Sequence, residues 1–153
     1  VTPLTGNEMN FYDLLLPENP GTVVMNGKEY TWNTWGEILI PASDAQVWAT
    51  YTREFYEGGP AVTFRKLGKG TVTYVGVDSH NGALEKDILK KLYAQLQIPV
   101  MDLPYGVTLE YRNGLGIVLN YSDRPYTFNV PEGSKVLVGT EEIPTAGVLV
   151  FSM

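Results

Sequence analysis

Apolar residues recur at every second position through most of the chain, which is the spacing of half-buried β-strands. Two pairs of such runs surround tight-turn residues. Asn26-Gly27 lies between the runs 23–25 and 28–32, and Gly68-Lys69-Gly70 lies between the runs 61–66 and 71–77. Such residues favour hairpin turns because they tolerate a positive φ. The pattern therefore predicts two β-hairpins, with a further buried strand over 46–51.

One segment, 81–97, has helical spacing instead. Its apolar residues form one stripe: Leu84, Ile88, Leu92 and Leu96, with Leu89 and Tyr93 beside them. The stripe predicts a helix buried along one face, which Asp78 or Ser79 would cap and Pro99 would end. Residues 1–22 are rich in Pro and Gly, and they predict an irregular segment with at most one short helical turn.

A second region begins after the Pro-containing segment 99–104, where we expect a domain boundary. Beyond it, short runs alternate with period two, and Asn113-Gly114 separates the first two of them. Five short strands are predicted, at about 107–111, 117–121, 126–130, 135–138 and 148–151. They indicate a small antiparallel sheet or sandwich, which is marginally stable alone at this size. We therefore expect two domains, at 1–98 and 104–153.

Composition narrows the possible functions. The chain has 153 residues, a net charge of −6 and no cysteine. It is too short for a typical (β/α)8 barrel, which needs about 250 residues. No basic run suggests a nucleic-acid partner, no apolar run reaches membrane-span length, and thiolate metal sites are excluded. We expect no nucleic-acid or membrane partner and no cofactor.

The segment from Trp35 to Val77 carries a family resemblance. It contains, in order, Trp-Gly-Glu-Ile-Leu at 35–39, Gln-Val-Trp-Ala-Thr-Tyr at 46–51, Phe-Tyr-Glu-Gly-Gly-Pro at 55–60 and Tyr-Val-Gly-Val at 74–77. This order, with the helix and the β-rich tail that follow, resembles the C-terminal region of glycoside hydrolase family 42 β-galactosidases. The tail matches at Gly-Val-Thr-Leu-Glu-Tyr-Arg (106–112), but Tyr121 stands where the family often has His.

The resemblance implies a β-rich α+β fold: a partial amidotransferase-like α/β domain, then a small antiparallel β-sandwich. It implies a non-catalytic role in assembly. The expected partners are further copies of the same chain in a homo-oligomer, which is a trimer in the family. The parent enzyme would hydrolyse terminal β-galactosides with retention, through two glutamates in a catalytic barrel that we expect to lie upstream. We expect no activity from this chain alone, and a cytoplasmic location, with a periplasmic or secreted one left open by the start at Val1.

No catalytic, cofactor or metal residue is assigned. A glycosidase requires two carboxylates that face each other. The available candidates are the single residues Glu8, Glu18, Glu37, Glu57 and Glu110 and the pair Glu141-Glu142. None lies in a barrel-strand context, so solvated surface positions are the simpler interpretation. The single His80 lacks a nucleophile motif and further metal ligands, and we expect it at the surface near the helix.

The aromatic residues leave an alternative open. Three tryptophans, Trp32, Trp35 and Trp48, accompany ten tyrosines. Flat rings at the surface could make the chain a carbohydrate-binding accessory module. We favour Trp48 in the core and Trp32 and Trp35 at an interface, although aromatics are enriched at both kinds of site.

Overall fold

The computed structural model describes residues 2–153. The chain forms two compact units, and the boundary between them along the sequence lies between Pro99 and Val100. The chain is β-rich with few helices, and every strand pair recorded in the described residues is antiparallel. The β-rich α+β class expected from the sequence is confirmed. None of the described helices is long and apolar enough to cross a membrane.

The first unit is a curved sheet with a short N-terminal helix and one longer helix. Its elements are α1 (Thr2–Thr5), β1 (Asn7–Asp13), β2 (Gly21–Met25), β3 (Lys28–Pro41), β4 (Gln46–Tyr51), β5 (Pro60–Leu67), β6 (Gly70–Val75), β7 (Val77–Ser79) and α2 (Ala83–Gln95). The strands run in the order β1-β3-β2-β4-β5-β6, and β7 also pairs with β3. Strand β3 is long because its first half pairs with β2 and its second half with β1.

Both predicted hairpins of this unit are confirmed. Asn26 and Gly27 have φ values of 53° and 78°, so the turn between β2 and β3 has positive φ at both central positions. Between β5 and β6, Gly68 alone has a positive φ, at 59°, as a type II′ turn requires. The turn residues and the pairing register of the flanking strands therefore agree in both hairpins.

Two expectations for the first unit were wrong. Residues 7–13 form a strand rather than an irregular segment, because β1 pairs with the second half of β3 and leaves only a short helix before it. The stripe of α2 is buried only at its N-terminal end: Leu84 and Ile88 are in the core, Leu92 is half-buried, and Leu96 is 68% exposed. The predicted cap Ser79 is confirmed in part, since its Oγ accepts the N–H of Leu84 at 3.0 Å, although Gly82 occupies the cap position itself.

The second unit is a small antiparallel fold with its own core. Its strands are β8 (Val107–Arg112), β9 (Leu115–Asn120), β10 (Tyr126–Thr127), β11 (Val136–Val138), β12 (Glu142–Ile143) and β13 (Gly147–Ser152). Four of them form the sheet β11-β13-β9-β8, and β10 pairs with β12. On strand β9, Val118 and Asn120 are buried, whereas Ile117 and Leu119 are half-buried. Leu149 and Phe151, on the neighbouring strand β13, share that buried face, and Phe128 packs in the same core cluster.

Candidate functional site

The chain returns from β6 to the second half of β3 beside Glu37. The backbone N–H of Glu37, on β3, donates to the carbonyl of Gly76 at 2.6 Å, just after β6 ends. From the core, the hydroxyl of Tyr51 donates to the carbonyl of Glu37 at 2.9 Å. The sheet therefore curls back on itself at this point, and residues 74–76 lie against the middle of β3.

The Glu37 carboxylate is held from both sides. Tyr74 donates its hydroxyl hydrogen to Oε2 at 2.5 Å, and the indole Nε1–H of Trp35 donates to Oε1 at 3.3 Å. The hydrogen bond to Glu37, followed by partial burial and the charge of the same carboxylate, raises the pKa of Tyr74 to about 12. Both oxygens of Glu37 are thus occupied as acceptors, and the phenol that faces them stays protonated.

A small cavity of about 260 Å³ opens beside this carboxylate, between α1, β1, β3 and β6. Asn7 at its wall is buried, and its Nδ2 donates to Thr63 Oγ1 at 2.7 Å. The Asn7 Oδ1 has no hydrogen-bond partner within the described residues. The cavity contains a single carboxylate, so it lacks the facing pair that glycoside hydrolysis needs.

The outer side of β1 and β3 carries an exposed aromatic stack. The rings of Tyr12 and Trp35 lie parallel, with centroids 4.6 Å apart and planes 12° apart. Met9, Tyr12 and Trp35 remain 54%, 54% and 38% exposed. We call these three residues the Tyr12–Trp35 surface. It lies at an edge of the sheet, because β1 pairs only with β3, and exposed apolar side chains on an edge strand are typical of contact with another chain.

A second apolar face lies on α2. Leu89, Tyr93 and Leu96 follow one another at helical spacing and are 53%, 42% and 68% exposed. The sequence pattern predicts Leu89 and Tyr93 as the sides of a buried stripe, but the helix packs on the core through Leu84 and Ile88, with Leu92 half-buried beside them. This face is therefore a rival contact surface.

The three tryptophans have different environments. Trp32 is 1% exposed and Trp48 is 9% exposed, so both belong to the core. The Lys91 ammonium lies 3.9 Å from the centroid of the Trp48 ring and covers it. The expectation that Trp32 lies at an interface was wrong, and a sugar platform made of Trp32 and Trp35 is excluded because only Trp35 reaches the surface.

The acidic candidates are dispersed. Every one of them except Glu37 is exposed: Glu8, Glu18, Glu57, Glu110, Glu141 and Glu142. Glu141 accepts the N–H of Val130 at 3.1 Å, which is a loop-stabilising contact. His80 is exposed just before α2. Among residues 2–153, no three His, Asp or Glu side chains are grouped as a metal site would need.

The second unit contains a larger cleft, of about 740 Å³, formed by residues 104–105 and 121–126. Three phenol rings line it: Tyr105, Tyr121 and Tyr126. The sequence does not predict this cleft, because its two segments lie some 16 residues apart along the chain. Only the folding of β8 against β9 brings them together.

Comparison with known protein families covers nearly the whole chain. Residues 1–104 match the family model of the β-galactosidase trimerisation domain, and residues 106–153 match that of the β-galactosidase C-terminal domain, both from glycoside hydrolase family 42. Among curated relatives, β-galactosidase BgaB of a Geobacillus strain is 30% identical over 115 residues, which is 72% of this chain and 17% of the relative. β-Galactosidase LacA of Lactobacillus acidophilus is 40% identical over 73 residues, 48% of this chain and 11% of the relative.

Solved structures give the same result for the fold. The β-galactosidase of the Antarctic haloarchaeon Halorubrum lacusprofundi superposes with a TM-score of 0.82 at 27% identity, over 99% of this chain and 23% of that one. A family 42 β-galactosidase, Gan42B, has the same TM-score at 23% identity, over 99% of this chain and 24% of the neighbour. The chain therefore spans about a quarter or less of the proteins it matches.

Proposed function

The chain belongs to the glycoside hydrolase family 42 β-galactosidases, and from that premise we propose that it acts as the assembly portion of such an enzyme. The observation that carries the proposal is the match of residues 1–104 to the family's trimerisation domain. Hydrolysis of terminal β-galactosides would belong to a catalytic barrel of the same enzyme, since each of the two cavities described above contains a single carboxylate rather than a facing pair.

The contact would be made through the Tyr12–Trp35 surface. Tyr and Trp side chains supply much of the binding energy at protein interfaces, because they bury a large area at a small cost in side-chain entropy. Here the two rings are already stacked, so little ordering would remain to be done on association. The hydrogen bond from the indole to Glu37 fixes the Trp35 ring in that orientation.

Analytical ultracentrifugation tests the proposal directly. We expect the chain to sediment, at rising concentration, toward three times its 17.0 kDa mass. A parallel assay with a chromogenic β-galactoside should give only the buffer rate. A chain that stays monomeric at the highest accessible concentration would contradict the assembly role, and turnover lost on replacing any one glutamate would contradict its non-catalytic character.

The accessory-module alternative also has a specific observation in its favour, but it lies in the second unit rather than at the tryptophans. That observation is the tyrosine-lined cleft at residues 104–105 and 121–126.

A further inference from the structure

The cleft of the second unit has the form of a small-molecule site, and we propose that it binds a neutral saccharide. Its volume of about 740 Å³ falls within the range of small-ligand pockets, about 300–1,000 Å³. Three tyrosines, Tyr105, Tyr121 and Tyr126, form its walls. No ring-stacking contact joins any two of these three rings in the described part of the chain, so space for a ligand remains between them.

The loop that lines one side of the cleft is held in place by a buried residue behind it. The side chain of Asn120 is 1% exposed, and its Nδ2 donates to the carbonyls of Arg124 at 2.9 Å and Ile143 at 3.0 Å. Its Oδ1 accepts the hydroxyl of Ser122 at 2.6 Å and the N–H of the same residue at 3.0 Å. One buried amide therefore fixes the loop 121–125 to the body of the unit.

The two walls are also tied to each other. The N–H of Tyr121 donates to the carbonyl of Gly106 at 2.6 Å. Gly106 has a φ of 83°, and a Cβ there would lie 2.9 Å from the backbone nitrogen of Ser122. Only glycine permits this close approach, so the backbone segments that carry Tyr105 and Tyr121 are held beside each other. The two rings themselves are exposed to solvent, 101% for Tyr105 and 71% for Tyr121. Ligand binding would therefore have to order these side chains but not the backbone that carries them.

The chemistry of the lining favours a saccharide over an ion. Phenol rings offer flat apolar faces for the C–H faces of a sugar ring, and their hydroxyls can hydrogen-bond to its hydroxyl groups. The hydroxyls of Tyr105, Tyr121 and Tyr126 have no partner among the described residues, so they are available. The charges nearby cancel, because the Nε of Arg124 lies 3.3 Å from the carboxylate of Asp123. A phosphate or a cation would therefore find no net charge to attract it.

An NMR titration of the intact chain tests this site. The probes are β-1,4-galactotetraose and, as a chemically matched comparison, cellotetraose. With at least one of them we expect saturable shifts of backbone amides confined to residues 105–106 and 121–126. Tyr121→Ala and Tyr105→Ala should each weaken binding at least tenfold, whereas Tyr121→Phe, which keeps the ring, should lose less.

Tyr111→Ala is the matched control, because Tyr111 is an exposed tyrosine of the same unit outside the cleft. It should bind like the unmodified chain. Absence of saturable shifts with both sugars would overturn the proposal, as would shifts that survive both cleft variants. Shifts at the same amides that follow protein concentration without sugar would also overturn it, since they would make the cleft a contact between copies. None of these results depends on the assembly state of the first unit.

Discussion

The ring of Tyr12, on the edge strand β1, stacks on that of Trp35, on β3, with 4.6 Å between their centroids. If this pair is the centre of a contact between copies, Trp35→Ala should weaken self-association strongly while the chain stays folded. Removal of a large interface aromatic typically costs 2 kcal/mol or more of binding energy, about a thirtyfold change in the dissociation constant. Sedimentation equilibrium of the variant measures that change.

Tyr93→Ala is the control for this experiment, because it removes an exposed aromatic from the rival face on α2. If self-association is unaffected by Trp35→Ala but is lost in Tyr93→Ala, the interface lies on α2 instead. Circular dichroism should show both variants to be folded, since neither side chain is buried.

Alkaline pH should destabilise the first unit. Burial is the main cause that raises the pKa of Tyr30 to about 12, with its hydrogen bond to Asp87 adding to the effect, and Tyr74 reaches about 12 through Glu37. Burial likewise raises the pKa of Tyr51 and Tyr56. A phenol whose pKa is higher in the folded than in the unfolded chain stabilises the fold below the unfolded value, and this stability is lost as pH rises through the folded value.

We therefore expect the tyrosines to leave the free energy of unfolding unchanged between neutral pH and about pH 9. It should fall between the ordinary tyrosine pKa of about 10 and the folded value of about 12. Urea titrations at several pH values measure it. Tyr74→Phe should be less stable at neutral pH, by about 1 kcal/mol for one hydrogen bond, and should show a shallower alkaline decline. A decline as steep as that of the unmodified chain would show that Tyr74 does not contribute to it.

The sequence predicted the parts of the fold that local chemistry decides. Asn26-Gly27 and Asn113-Gly114 each have two positive φ values, and each forms the hairpin that the residue pair demands. The family resemblance then supplied what local patterns could not, namely that the first domain resembles the trimerisation domain of the family, whose model matches residues 1–104.

What the sequence did not predict depends on long-range packing. Strand β1 was missed because its alternation is broken by a bulge between Met9 and Phe11, and with it the partner of Trp35 was missed. The alternation within β9 does not tell which of its faces is buried, because the half-buried positions 117 and 119 carry larger apolar groups than buried Gly116. The missing side chain of Gly116 makes room for the ring of Phe151. The tyrosine cleft was missed because no local pattern reports which loops meet.

Trp32 should be a main determinant of stability in the first unit. It is 1% exposed and meets Tyr51 edge to face, with 5.6 Å between the ring centroids. A Cβ added at Gly36 would lie 2.7 Å from the indole, so the absence of a side chain there makes room for the ring. We expect Trp32→Ala to cost about 3–5 kcal/mol, and Gly36→Ala to cost about 1–3 kcal/mol through overpacking.

A double-mutant cycle shows whether the two costs are linked. In a Trp32→Phe background the smaller ring leaves space, so Gly36→Ala should cost less than it does alone. Gly70→Ala is the control, because a Cβ there would meet only the Leu67 carbonyl, at 3.8 Å. Strictly additive costs would mean that the strain of Gly36→Ala comes from another neighbour, such as the Tyr51 hydroxyl at 3.0 Å.

Asn120 should be the most sensitive polar residue of the second unit. Its Nδ2 faces the carbonyls of Arg124, Ile143 and Pro144, at 2.9, 3.0 and 3.2 Å. In Asn120→Asp, the same position would carry an oxygen that can only accept when ionised, so buried acceptors would face one another without a donor. We expect the variant to lose about 2–4 kcal/mol at neutral pH, because an unpaired buried charge is far more costly than a lost hydrogen bond.

The sign of the pH dependence distinguishes this cause from a general loss of packing. Burial against carbonyls would raise the pKa of the new carboxyl group above its unfolded value, so protonation at low pH would restore a donor and part of the stability. The exposed Asn129→Asp is the matched control and should change little. If Asn120→Asp is as stable as Asn129→Asp, the loop 121–125 is held by something other than this amide, and the cleft that it lines is less rigid than its contacts indicate.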